Sequence, residues 1–136
     1  MQNPPPVQTA KSSTGLDENV AALLSYLFGW VSGLIFFLIE KDSRLVKFHA
    51  MQSLLLNILA VVLGIGLWIL TFVVVIIGAM IGDALGGILT LLATFIWVAF
   101  GVAALIAVIM CLVKAFQGQY FKLPIIGNFA EKFSAK

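Results

Sequence analysis

Charge is what this sequence has least of. Its eight Lys and Arg and six Asp and Glu make up 10% of 136 residues, where a soluble domain carries about a quarter. The shortage is concentrated in three charge-free runs: Asn19 to Ile39 (21 residues), Ala50 to Gly82 (33) and Ala84 to Val113 (30). Each exceeds the roughly 18–20 apolar residues that span a hydrocarbon core about 30 Å thick. A charge at the centre of a membrane helix costs about 2.5–3.5 kcal/mol, so three clean runs, with 62% hydrophobic residues overall, argue against a soluble domain.

Reactive side chains are as scarce. There is one cysteine, Cys111, with no partner for an internal disulfide, and one histidine, His49. Catalysis needs a nucleophile with a base, paired carboxylates, or metal ligands within reach of one another. The carboxylates here are scattered and no phosphate loop or metal motif occurs. The sequence predicts no enzyme, cofactor, metal site or nucleic-acid partner.

The runs do not alternate polar and apolar residues. In hydrocarbon only helices and closed barrels pair every backbone group, so the runs read as helices. The predicted fold is all-α: a polytopic membrane protein with three transmembrane helices, at about 19–39, 57–81 and 88–114. The second has an interfacial extension from about 44, because a 33-residue helix of about 50 Å overshoots the bilayer. A broken or re-entrant helix at Gly64–Gly66 is the alternative. Residues 82–87, GDALGG, read as a tight turn. Three regions follow: a disordered, proline-rich tail at 1–16, a transmembrane domain at 17–117, and an interfacial C-terminal tail at 118–136. The first apolar run is long enough to span, so no removable signal peptide is expected.

Within the runs, small and polar residues mark packing candidates. Ser25, Gly29 and Gly33 stand at four-residue spacing, as do Gly78, Gly82 and Gly86; such spacing lets membrane helices approach closely, although glycine is also simply common in them. His49, Ser53 and Asn57, with Gln52 beside them, form a polar stripe on one helix. It can serve as a helix-packing seam, a ligand or lipid-headgroup contact, or a pH-sensitive site. Three spans place Lys41, Arg44, Lys47, Lys114, Lys122, Lys132 and Lys136 on one side and Lys11 on the other. The positive-inside rule then predicts a cytoplasmic C-terminus and an outside N-terminus. Lys41, Arg44, Lys47, Lys114 and Lys122 become basic anchors, able to contact anionic lipid.

The stretches LSYLFGWVSGLIFFLIEKDSRLVKFHAMQSLLLNI and KAFQGQYFKLPIIGNFAEKF resemble a family of small prokaryotic membrane proteins of unknown function grouped with the plastid Tic-twenty import component. Lys41, Phe48, His49, Ala50, Gln52, Gly118, Tyr120 and Pro124 carry the resemblance most specifically. It implies a helical integral membrane protein without assigned chemistry, in a prokaryotic cell membrane; the plastid relatives serve protein translocation. This chain departs from them in having three predicted spans rather than four and no transit peptide. The expected role is that of a scaffold, accessory or assembly subunit, working through helix packing with itself or an unknown membrane partner. A homo-oligomeric channel or transporter is the alternative.

Overall fold

The computed structural model describes residues 10–135, and among them every regular element is helical. The order is α1 (Glu18–Leu27), α2 (Trp30–Ile39), α3 (Arg44–Ile81), α4 (Asp83–Phe116) and α5 (Ile126–Ser134). Two compact units are formed, one from residues up to Asn57 and from Met110 onward, the other from Ile58–Ile109. Among the described residues only α3 and α4 are long and apolar enough to cross a membrane.

The first charge-free run is therefore not the single spanning helix expected from its length. It breaks at Gly29, whose φ of 62° is tolerated by glycine and rarely by other residues. Phe28 caps α1, Trp30 starts α2, and the two helices pack on each other. Glu18 at the start of α1 accepts a 2.8 Å hydrogen bond from the Ser43 hydroxyl just beyond α2, so the far ends of the pair meet. The run folds back as a hairpin whose arms, at ten residues each, are about 15 Å long. That is half a bilayer core. The expectation that the chain before this run and the 40–49 loop lie on opposite sides of a membrane rested on that single helix and loses its support.

Residues 10–16 also differ from the disordered tail expected over 1–16; residues 1–9 lie outside the described part. The backbone N–H of Ser13 donates to both oxygens of Glu40 at 3.0 and 3.2 Å, and its hydroxyl lies 2.8 Å from Glu40 Oε1. Glu40 Oε1 further accepts the N–H groups of Asp42 and Ser43. Ser43 in turn caps α3, its hydroxyl accepting from Val46 N–H. A carboxylate buried to 1% exposure thus ties a turn before α1 to the start of α3. Burial favours its neutral form, but the donors from Ser43, Ser13 and Asp42 outweigh burial and hold it below the usual carboxylate range.

The sign of that shift fixes a pH response. A lowered carboxylate pKa in the folded state contributes stability above the unfolded value of about 4.3 and loses it as pH falls through the folded value. Thermal unfolding in detergent should show a stability plateau at neutral pH and a decline below about pH 4. Glu40→Gln should start lower and flatten that decline; an unchanged acid limb would show that Glu40 does not drive it.

α3 runs unbroken through Gly64 and Gly66, so the alternative of a break there does not hold. At its end the expected 82–87 turn shrinks to one residue, Gly82, with φ of 134°. α4 starts at Asp83, a carboxylate in the first turn that complements the helix dipole. In the second unit α3 and α4 touch backbone to backbone at Gly78 and Gly86: a Cβ on Gly86 would lie 2.7 Å from the Gly78 carbonyl oxygen. Lower down, Trp97 Nε1 donates to Thr71 Oγ1 at 3.0 Å. Beyond α4, the expected C-terminal tail contains an irregular segment with turns and then α5.

Candidate functional site

The polar stripe of α3 lies in the first unit, and its members face different neighbours. His49, Gln52 and Ser53 are fully buried. His49 Nε2 lies 2.8 Å from the backbone oxygen of Gln119. A carbonyl only accepts, so Nε2 carries the hydrogen and Nδ1, 2.9 Å from the Tyr26 hydroxyl, accepts from it in the neutral ring. Tyr26 Oη in turn lies 3.2 Å from Gln52 Nε2. Phe48 and Tyr26 also set ring edges against the imidazole, which fixes its plane.

Gln52 is the junction. Its amide nitrogen donates to the Phe121 carbonyl at 2.9 Å, with Cys111 Sγ at 3.5 Å, and its oxygen accepts from Leu123 N–H at 3.2 Å. A peptide-like side chain thus pairs with the irregular backbone of residues 121–123. Around this core Ala21, Ala22, Leu45, Val46, Cys111 and Ala115 exclude water. Tyr26 from α1, His49 and Gln52 from α3, and the 119–123 segment after α4 are held as one cluster.

Ser53 and Asn57 serve the hairpin instead. Ser53 Oγ donates to the Gly29 carbonyl at 3.2 Å. Asn57 Nδ2 donates to Ser53 O at 2.8 Å, and its Oδ1 would lie 3.2 Å from any Cβ at Gly29. From within the hairpin, Ser32 accepts from Phe28 N–H and lies within 3.1–3.2 Å of the Ser25 and Gly29 carbonyls. Phe28 N–H and the Ser25 and Gly29 carbonyls around the turn each have a serine hydroxyl beside them. This matters at membrane depth, where non-helical backbone survives only when buried in protein or facing a water-filled cavity.

Of the glycines singled out in the sequence, Gly29 and Gly33 lie against α3, Gly33 with a would-be Cβ 3.0 Å from Ala50 O. Gly78 meets Gly86, whereas Gly82 has open space and only makes the turn. Lys122 pairs with Glu131, and Lys114 reaches the Gln119 side chain at 3.1 Å. Lys41 contributes its backbone N–H to Ser13 Oγ at 2.8 Å. Arg44 and Lys47 lie in the first turn of α3. Sequence reasoning missed Tyr26, Ser32 and Glu40. No spacing in the sequence signalled the hairpin, since glycine and serine are common throughout membrane helices.

A model of the magnetosome magnetite crystal formation protein family, MamF/MmsF, matches residues 16–130. The chain belongs to this family. Among curated relatives of this MamF/MmsF chain, a UPF0132 membrane protein of Methanocaldococcus jannaschii is 41% identical, over 91% of this chain and 94% of its own length. A second from that organism is 32% identical, over 88% and 71%. One from Archaeoglobus fulgidus is 38% identical, over 86% and 95%. No solved structure matches. MamF/MmsF membership and these archaeal relatives make it a small prokaryotic membrane protein of an uncharacterised family, as the sequence resemblance implied; its grouping with the plastid import component finds no counterpart in them.

Proposed function

We propose that this protein is a non-enzymatic scaffold or assembly subunit of a prokaryotic cell membrane, anchored by α3 and α4. In this reading the α1–α2 hairpin enters the same leaflet as a re-entrant element. The observation that carries it is the hydrogen-bonded closure of the first unit. Tyr26, His49, Gln52 and the 119–123 backbone engage one another, while Ser32, Ser53 and Asn57 seal the hairpin. Such a body is built to hold a shape in lipid, and offers partners or further copies of itself its outer apolar faces. The family description concerns magnetite crystal formation; what we carry over is a membrane-bound assembly role.

Charge supports the topology. Lys11, Lys41, Arg44, Lys47, Lys114, Lys122 and Lys132 all fall in the first unit, and the only acidic or basic residue of the second is Asp83. With α3 and α4 spanning, the positive-inside rule sets both ends of the chain and the 40–43 connection in the cytoplasm, and Gly82 outside. Single-cysteine labelling in oriented vesicles, on a Cys111→Ala background, tests this. Lys11→Cys, Asp42→Cys and Gln117→Cys should react from one side and Asp83→Cys from the other. Labelling of positions 11 and 42 from opposite sides would sink the re-entrant hairpin.

A homo-oligomeric channel or transporter related to protein translocation, the role that kinship with the plastid import component would bring, has less to draw on. Its candidate lining is the stripe from His49 to Asn57, and those polar atoms are turned inward on Tyr26, Gly29 and residues 119–123.

A further inference from the structure

α5 has two largely apolar rows, and only one is partnered among the described residues. Ile126, Ala130 and Ser134 are buried, and Ala130 packs with Phe48 and Met51 of α3. The adjoining row, Phe129 and Phe133 with Ile125 one turn before them, is 51%, 44% and 73% exposed. With successive residues about 100° apart on a helix, the two rows form one apolar arc around half the circumference, twice what the docking on α3 covers. Asn128, Glu131 and Lys132 occupy the polar remainder.

Ile125 is the odd member. It is the only described non-glycine residue with positive φ, at 68°, where a β-branched side chain costs on the order of 1–3 kcal/mol. The turn that holds it is tight: a Cβ on Gly127 would lie 2.6 Å from Lys122 Cβ. Strain that displays an isoleucine to water would stabilise nothing; strain that aims it at hydrocarbon does. The row is flanked by Lys132, while Lys122 on the preceding segment is paired with Glu131, and Phe48 and Met51 place α5 beside the opening turns of α3, where a spanning helix leaves the bilayer.

We infer that Ile125, Phe129 and Phe133 form a docking ridge for the surface of an anionic bilayer, seated at the boundary of headgroups and acyl chains with Lys132 among lipid phosphates. Amphipathic helices bind membranes by this combination of apolar area and basic flanks. The inference stands apart from the scaffold reading and from the hairpin topology, and fails or holds without them.

The test uses the full chain in phosphatidylcholine vesicles with and without phosphatidylglycerol. On the Cys111→Ala background, bimane attached at Phe129→Cys or Phe133→Cys should lose most of its emission to lipid carrying a shallow nitroxide and resist aqueous iodide. Asn128→Cys should show the reverse. Iodide quenching at 129 and 133 equal to that at 128 would overturn the ridge; so would protection from both quenchers with cross-linking between copies, which would put a second copy there. The unmodified chain gives an independent reading, because trypsin cleavage at Lys132 should slow when phosphatidylglycerol is present. Equal cleavage in both vesicles would overturn the anionic preference.

Discussion

Gln52→Ala should destabilise the protein by about 3 kcal/mol, with the loss falling on the 119–123 segment. The side chain is fully buried and pairs with Phe121 O, Leu123 N–H and Tyr26 Oη. Orphaning a buried donor or acceptor costs about 1–3 kcal/mol each. Polar pairs between membrane helices average only about 0.6 kcal/mol, because the separated helices find other partners in the membrane. The larger figure wins here because two of the three groups are backbone of an irregular segment. They have no helix of their own to fall back on. Gln52→Leu separates pairing from packing: it restores volume without the amide and should lose nearly as much. Thermal unfolding in detergent reads the total, and trypsin cleavage at Lys122 reads the detachment. A loss under about 1 kcal/mol in both variants would show that the segment is held by its apolar contacts instead.

Gly33→Leu should cost about 3 kcal/mol and release α2 from α3. A Cβ there would lie 3.0 Å from Ala50 O and 3.2 Å from Leu54 N and Ser53 Cβ. Two of those atoms are backbone of a long helix and cannot yield locally. Overpacking of a tight contact costs typically 1–3 kcal/mol, and leucine adds three carbons beyond the one that already collides. The chain contains its own control. Gly64 and Gly66, in the middle of α3, have nothing within 4 Å of an added Cβ. Gly64→Leu and Gly66→Leu should change stability by less than about 0.5 kcal/mol or raise it through helix propensity. Equal effects at 33 and 64 would show that the α2–α3 contact contributes little. An added disulfide between α2 and α3 that rescued Gly33→Leu would confirm that separation of the helices causes the loss.

How far the fold could be read from the sequence depends on where each constraint lies. The α3 and α4 helices are written in composition, since an unbroken apolar run of that length has few other solutions. The α1–α2 hairpin was hidden for the same reason: a 21-residue charge-free run has the hydropathy of a span whether it crosses or turns back. What decides between them is the backbone angle at Gly29 and the hydroxyls of Ser32 and Ser53 around it, and glycine and serine are common enough in membrane helices to carry no such meaning alone. The polar stripe was legible as a stripe, because four-residue spacing on one element is local. Its partners were not, since Gln119 and Phe121 lie about seventy residues away and are engaged through backbone atoms, to which side-chain identity is nearly silent. The single-residue turn at Gly82 was misread because three other glycines and alanines nearby have the composition of a loop, whereas Gly86 is helical and shaped for contact with Gly78.

The seal around Gly29 also sets an order of construction. A ribosome delivers the first apolar run before Ser53 and Asn57 exist, so for about twenty residues of synthesis the turn has only Ser32 to pair with. Residues 119–123, which complete the pairing of His49 and Gln52, arrive about seventy residues after them. The N-terminal hairpin therefore cannot reach its final state by early insertion. Its pairing is completed only once residues 119–123 have been made, and this dependence of an early-made part on a later-made one makes loss of that segment a lesion of the whole unit.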